Sequence, residues 1–129
     1  MVKRFALLSL LIVGLLSLSF NRADAADYYL GVYPDGREAY LTSIRDYEVT
    51  RNGYWDHDEY DCHVKAVYKN SGKYDNVSYK VYYGQMGAFM EKDGRNIYDR
   101  HTRETFLQNN PVENNLLKHV MALRTRQGK

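Results

Sequence analysis

Apolar and polar side chains alternate along the middle of the chain, from Asp61 to Tyr83. In the first half of this stretch the apolar side holds Cys62, Val64, Ala66 and Tyr68. After a break at residues 70–73 it holds Val77, Tyr79, Val81 and Tyr83. A period of two is typical of antiparallel strands with one buried face. Because an Asn-Ser-Gly break separates the two runs, the pattern predicts a hairpin at the centre of a sheet.

Further turn signals divide most of the remaining sequence into short extended pieces. They are Pro34-Asp35-Gly36, Asn52-Gly53 and Asp93-Gly94. Pro presets φ and Gly accepts a positive φ, so these tripeptides and dipeptides favour tight turns. The extended pieces that flank them cover residues 28–33, 37–44, 47–49, 88–90 and 96–98. Turn signals at this spacing predict a meander of hairpins.

The period changes near the carboxyl end and predicts a helix over about residues 111–125. Its apolar stripe contains Val112, Leu116, Leu117, Val120, Met121 and Leu123. The opposite face contains Asn114, Asn115, Lys118 and Arg124. Asn110, Pro111 and Glu113 resemble a capping-box start, and residues 102–108 are interpreted as a connecting loop. A helix lying on a membrane is the alternative, but the polar face is weakly basic and favours a lid on the sheet.

Together these patterns predict an α+β fold. We expect a single antiparallel β-sheet of about five to seven short strands, with the C-terminal helix packed on one face.

The first 25 residues have the pattern of a cleaved signal peptide. Lys3 and Arg4 precede an apolar run from Phe5 to Leu18, and Ala23-Asp24-Ala25 is a small-x-small cleavage site. A membrane anchor is the alternative, but the run is short for the roughly 20 residues that span a bilayer. We therefore expect cleavage before Ala26 and export to the periplasm, the cell surface or the medium. Residues 26–129 would then form one domain with no transmembrane segment.

Removal of the predicted signal changes the charge of the protein. Residues 1–25 hold three of the 18 basic and one of the 16 acidic residues, so 15 of each remain. A neutral protein gives no reason to expect nucleic-acid binding. The charges are nonetheless unevenly distributed along the chain: residues 26–63 are net acidic and residues 64–129 are net basic.

The composition is rich in tyrosine and poor in cysteine. Cys62 is the only cysteine, so no intramolecular disulfide can form, and its phase with Val64 and Ala66 predicts a buried thiol. All 13 tyrosines follow the predicted signal. Tyrosine favours strands and also provides contact area at interfaces.

One segment combines the side chains that metal sites use. Residues 55–63 contain four carboxylates and two imidazoles. In an extended chain the side chains that project to one side are those of His57, Glu59, Asp61 and His63. They form a candidate set of nitrogen and oxygen ligands for a divalent metal, although the spacing matches no specific metal motif. A solvated acidic loop is the favoured interpretation, and no motif in the sequence indicates a catalytic residue or a cofactor.

A second candidate site is a basic and aromatic strip. It consists of Lys65, Lys69, Lys80 and Tyr82. On adjacent strands these side chains could bind a polyanion or another partner. A solvated sheet face explains them equally well, since lysines also discourage pairing between sheet edges.

The order of elements resembles that of small exported proteins of the surface-adhesin protein E type. The matching parts are Ala39-Tyr40-Leu41-Thr42-Ser43-Ile44, the strand Val64-Lys65-Ala66-Val67-Tyr68 and the helix from Pro111-Val112. The family also carries a cysteine pair, of which this chain has Cys62 alone. The resemblance implies a surface-interaction function.

We therefore expect an exported, non-enzymatic, adhesin-like binding protein that recognises a protein or a cell-surface ligand. The alternative is a small exported metal-binding protein or enzyme that uses the His57–His63 segment.

Overall fold

The computed structural model describes residues 27–129. The predicted signal peptide and its cleavage site lie outside the described residues. Six strands precede two helices: β1 (Tyr28–Val32), β2 (Glu38–Arg51), β3 (Tyr54–Val67), β4 (Tyr74–Gly84), β5 (Gly87–Lys92), β6 (Arg95–Asn96), α1 (Arg103–Asn109) and α2 (Pro111–Arg126).

The strands form one antiparallel sheet in which neighbours in sequence are neighbours in space. The strand order is β1-β2-β3-β4-β5-β6, and every pair is antiparallel. The fold is therefore α+β, and the prediction of a meander with a C-terminal helix is confirmed.

Strands β2 and β3 are longer than expected, at 14 residues each. The pieces predicted over residues 37–44 and 47–49 are parts of the single strand β2. Asn52 and Gly53 connect β2 to β3 with φ angles of 54° and 82°, which is the conformation of a type I′ hairpin turn. The acidic segment follows this turn inside β3, so its interpretation as a loop is wrong. Both strands extend to the turn because they remain paired with each other over their whole length, as far as Arg51 and Tyr54.

The core lies between one face of the sheet, here called the inner face, and α2. Cys62, Val64 and Ala66 of β3 are buried, as are Val77, Tyr79 and Val81 of β4. Burial raises the pKa of the Cys62 thiol to about 12. The central hairpin and the buried cysteine are therefore confirmed. Tyr68 was predicted to be buried as well, but it follows the end of β3 and is exposed.

Helix α2 covers the inner face with a stripe that is apolar except at two positions. Its buried residues are Val112, Glu113, Leu116, Leu117, Val120 and Arg124. The assignment of Arg124 to the solvent face is therefore wrong. Asn115 is half-buried, and its side-chain amide donates a hydrogen bond of 2.6 Å to the carbonyl of Leu30 in β1.

The predicted capping box is absent from the start of α2. Asn110 makes no side-chain cap; its amide donates instead to the carbonyl of Phe106. Glu113 does not reach back to the cap, because its carboxylate accepts a hydrogen bond from Tyr79 in the core.

A second helix lies where a loop was expected. Residues 103–109 form the short helix α1, and Phe106 of that helix packs against Tyr98. Within residues 27–129, neither helix has the length and apolar character needed to cross a bilayer.

Candidate binding face of the sheet

The face of the sheet opposite α2, here called the outer face, carries the predicted site residues of β3. Alternation along β3 turns Asp58, Tyr60 and Cys62 inward. The four predicted metal ligands therefore share the outer face, as the extended conformation requires. Successive outward residues on one strand are nevertheless about 6.6 Å apart, so the four side chains form a row.

His57 is held between two carboxylates on this face. Its Nδ1 lies 2.7 Å from Asp56 Oδ2, and its Nε2 lies 3.1 Å from Glu59 Oε1. The hydrogen bond to Asp56, followed by the contact with Glu59, raises the pKa of His57 above its ordinary 6.5. The charged imidazolium is therefore favoured, since it donates to both carboxylates at once.

This geometry bears on the predicted metal site. No group of three or more His, Cys, Asp or Glu side chains between residues 27 and 129 is arranged to hold a metal ion. Because both nitrogens of His57 contact carboxylates, a metal ion would have to displace Asp56 or Glu59 to reach the ring. Asp61 and His63 line a separate groove of about 290 Å³.

The predicted basic strip is interrupted by acidic side chains. Lys80 lies between Asp61 and Glu91 in the cross-strand register, and its Nζ is 4.0 Å from Glu59. Lys65 instead packs over the ring of Tyr74, 4.6 Å from the centroid, and Lys69 is exposed beyond the end of β3. Only Lys80 and Tyr82 come together, with the Nζ 5.9 Å from the ring centroid. A binding role for these four residues stays a prediction.

Two tyrosine hydroxyls donate hydrogen bonds to carboxylates of the outer face. Tyr82 donates a hydrogen bond of 2.6 Å to Glu91, and Tyr47 donates one of 3.2 Å to Asp61. The carboxylates of Glu59 and Asp61, with burial as a further cause, raise the pKa of Tyr47 to about 12. These contacts hold the two tyrosine rings by their hydroxyl ends.

An open cleft of about 540 Å³, here called the aromatic cleft, lies at the end of the outer face next to His57. Its lining residues are Trp55, Asp56, His57, Tyr82, Gly84, Gln85, Met86, Gly87 and Phe89. Trp55 is 43% exposed and Met86 is 61% exposed. The cleft combines large apolar surfaces with a few polar groups, which is the usual composition of a ligand site.

The aromatic cleft was not predicted from the sequence. Its residues come from β3, β4, β5 and the turn between β4 and β5, so no local motif contains them. The available signals were the single tryptophan beside the acidic segment and two glycines separated by Gln85-Met86. Neither signal reveals a cleft until the strand register is known.

The inner face also supports the cleft through a buried ion pair. Arg124 Nη1 lies 2.6 Å from Asp58 Oδ2, and Lys129 Nζ lies 3.4 Å from the same oxygen. Asp58 Oδ1 accepts a hydrogen bond of 2.9 Å from the indole of Trp55. Burial opposes ionisation of Asp58, but the hydrogen bonds from Trp55, Arg124 and Lys129 outweigh it and lower the pKa.

A second buried polar contact joins β4 to the start of α2. The Tyr79 hydroxyl donates 2.7 Å to Glu113 Oε2 and lies 2.7 Å from the Tyr33 hydroxyl. Lys92 Nζ lies 3.5 Å from the same glutamate oxygen. Each member of this group has a partner, which makes it a structural connection between sheet and helix.

Comparison of the chain with protein-family models, with curated proteins and with solved structures found no match. The geometry of the sheet therefore carries the functional argument.

Proposed function

We propose that the protein is an exported, non-enzymatic binding protein that holds a surface ligand against the outer face of its sheet. The aromatic cleft is the centre of this contact. The resemblance to surface-adhesin protein E-type proteins supports the same class of function, as does the predicted signal peptide.

The observation that carries the proposal is an exposed aromatic surface that is already fixed in place. Trp55 is 43% exposed although its indole nitrogen is hydrogen-bonded to a buried carboxylate. A flexible side chain loses conformational freedom when it binds, whereas a fixed one has lost it already. Tryptophan and tyrosine are also the residues that most often dominate binding energy.

The charges of the outer face support a binding role over a catalytic one. His57 contacts carboxylates through both ring nitrogens, so neither nitrogen is free to take a proton from a substrate. The aromatic cleft is also open, and a reaction that needs water excluded gains little from such a site.

The test measures retention of the purified protein on a surface coated with extracellular-matrix extract. Met86→Ala removes one exposed wall of the cleft, and Trp55→Ala removes another. We expect each variant to bind about tenfold more weakly or worse, the loss of roughly 1.4 kcal/mol or more.

Tyr74→Ala is the matched control for these variants. Tyr74 is 52% exposed and lies at the other end of the outer face, opposite Val67. Its substitution is expected to leave retention unchanged. Equal retention by all of the variants, or none by the parent protein, would contradict the proposal.

A further inference from the structure

The walls of the aromatic cleft are held by their polar edges. The indole of Trp55 donates to Asp58 at 2.9 Å, and Asp58 is fixed in turn by Arg124 at 2.6 Å. The Tyr82 hydroxyl donates to Glu91 at 2.6 Å, and its ring meets the edge of His57 with centroids 5.6 Å apart. The cleft therefore presents aromatic surfaces whose orientation is set before a ligand arrives.

The floor of the cleft is backbone. Gly84 and Gly87 are paired across β4 and β5, with the turn Gln85-Met86 between them. A Cβ added at Gly84 would lie 3.4 Å from the Cβ of His57. The absence of a side chain at Gly84 therefore leaves open the space beside the Cβ of His57 and the carbonyl of Asp56, where a ligand can approach the backbone closely.

The charged groups beside the cleft are paired among themselves. Asp56 contacts His57 at 2.7 Å and Arg51 at 3.8 Å. Glu59 contacts His57 at 3.1 Å and Lys80 at 4.0 Å. Each of these two carboxylates therefore contacts two cationic side chains. The carboxylate oxygens still have lone pairs, since an ionised carboxylate can accept about four hydrogen bonds.

We propose that the aromatic cleft binds a neutral saccharide, an inference that rests on the proposed binding function and names its ligand class. A sugar ring has an apolar C–H face and a rim of hydroxyl groups. Its C–H face is attracted to the electron-rich face of an aromatic ring such as Trp55. Its hydroxyls donate to the Asp56 carboxylate and exchange hydrogen bonds with the amide of Gln85.

Size and charge agree with this ligand. A volume of about 540 Å³ falls within the range of small-molecule sites. An organic cation would also be attracted to aromatic rings, but it gains most from an unpaired carboxylate, and Asp56 already contacts two cationic side chains. A polyanion gains little from Arg51, His57 and Lys80, because these cations already contact Asp56 or Glu59.

The experiment uses the emission of Trp55, which is the only tryptophan in the chain. The purified protein is titrated with glucose, galactose, N-acetylglucosamine and their disaccharides, and separately with tetramethylammonium and heparin. At least one neutral sugar is expected to change the emission saturably, with half-saturation on the order of 1–10 mM for a shallow site. Saturation-transfer NMR identifies the sugar protons that contact the protein.

Two variants locate the binding. Gly84→Val fills the floor of the cleft without removing any hydrogen bond of its walls, and it is expected to weaken sugar binding about tenfold or more. Met86→Ala, which removes one exposed wall of the cleft, is expected to weaken it about tenfold as well. Tyr74→Ala, at the other end of the face, is expected to bind like the parent.

The possible outcomes separate the ligand class from the binding function. Saturation by tetramethylammonium or heparin without any response to a neutral sugar would overturn the saccharide inference, as would a sugar response that survives Gly84→Val. If retention on the matrix surface still depends on Trp55 and Met86 in that case, the proposed function stands with another ligand. If, in addition, every cleft variant is retained on the matrix surface as well as the parent protein, both proposals fail.

Discussion

Asp58 and Arg124 form an ion pair that water hardly reaches. Their side chains are 3% and 10% exposed, and the guanidinium lies 3.7 Å from the centroid of the Tyr83 ring. Removing two charges from water is costly, and a buried pair recovers that cost only with good geometry and further hydrogen bonds. Here Tyr60, Trp55 and Lys129 supply those contacts.

Substitution of Arg124 therefore tests a residue whose loss leaves a buried charge behind. We expect Arg124→Met to lower the free energy of unfolding by about 3 kcal/mol, because Asp58 would keep only Lys129 and Trp55 as partners. Urea denaturation measures the change. The control is Arg126→Met at an exposed position of the same helix, where a change below about 0.5 kcal/mol is expected. Equal effects of the two substitutions would show that the pair contributes no more than a surface contact.

The stability of the folded protein is expected to depend on pH through His57, and the direction of the change follows from the pKa of its ring. Its pKa is raised in the folded state, first by Asp56 and then by Glu59. Protonation of His57 therefore stabilises the fold. The stabilisation is complete at a pH below 6.5, the pKa of the unfolded state, and is lost as the pH rises through the pKa of the folded state. The pKa values of Asp56 and Glu59 are lowered, so both stay ionised over this range.

The variant His57→Gln isolates this contribution. The difference in unfolding free energy between parent and variant is expected to be larger at about pH 5.5 than at about pH 8.5. Denaturant melts of both proteins at the two pH values measure it, and the remaining histidines cancel in the comparison. A difference that is constant or grows with pH would contradict the assigned role of the two carboxylates.

At the scale of elements, α2 decides whether the sheet has a closed core. Leu116 is completely buried near the middle of the helix, flanked by Val112 and Val120 one turn away on each side. The amide of Asn115 reaches the carbonyl of Leu30 in the first strand. Apolar packing and one polar contact thus attach the helix to the sheet.

Truncation of Leu116 tests this attachment. Leu116→Ala removes apolar contacts and leaves a cavity, at an expected cost of about 2–5 kcal/mol in unfolding free energy. Lys118→Ala is the control, because Lys118 is exposed on the same helix and its loss is expected to change stability by less than about 0.5 kcal/mol. Asn115 is no suitable control, since its hydrogen bond to Leu30 contributes about 1 kcal/mol. A melt of Leu116→Ala that matches the parent would show that α2 is not the lid of the core.

Periodicity predicted the elements well and the polar interior poorly. Cys62, Val64 and Ala66 follow the alternation because apolar burial dominates there. Asp58 is in phase with Tyr60 and Cys62, yet its charge indicates solvent, and only the distant Arg124 makes its burial favourable. Arg124 is likewise four residues beyond Val120 on the buried stripe. Such partners become visible only when the fold brings them together.

The length of β2 and β3 escaped prediction for a related physical reason. Beyond Ile44, the β2 residues Asp46 and Glu48 are on the inner face but exposed. Tyr47 and Val49 alternate with them but lie on the outer face. The apolar side of the strand therefore changes after Ile44, and the pattern predicts two separate pieces instead of one strand. The type I′ turn at Asn52-Gly53 and the hydrogen bonds of the hairpin maintain it instead. The aromatic cleft, which depends on this register, was equally hidden.

At the scale of the whole molecule, the sheet presents two different surfaces. The inner face is closed by α2, whereas the outer face carries paired charges, fixed tyrosines and the aromatic cleft. A protein that reaches ligands outside the cell must first be exported, and the sequence predicts a signal peptide for that step.

Processing of the chain is therefore a direct test of where the protein acts. The expected mature form begins at Ala26, because Ala23-Asp24-Ala25 matches a cleavage site. Intact-mass measurement of protein recovered from the cell envelope or the medium identifies the first residue. Retention of residues 1–25 would support the membrane-anchor alternative instead.

The contact between β1 and α2 determines the order in which parts of the fold can form. Each strand pairs with its neighbour in sequence, so the hairpins can form as soon as their residues become available. Leu30, by contrast, accepts a hydrogen bond from Asn115, 85 residues later in the chain. A chain that is still being synthesised or translocated has therefore exposed one complete sheet face before its cover arrives. The apolar surface is most vulnerable to aggregation in that interval, and a truncation that removes α2 would make the interval permanent.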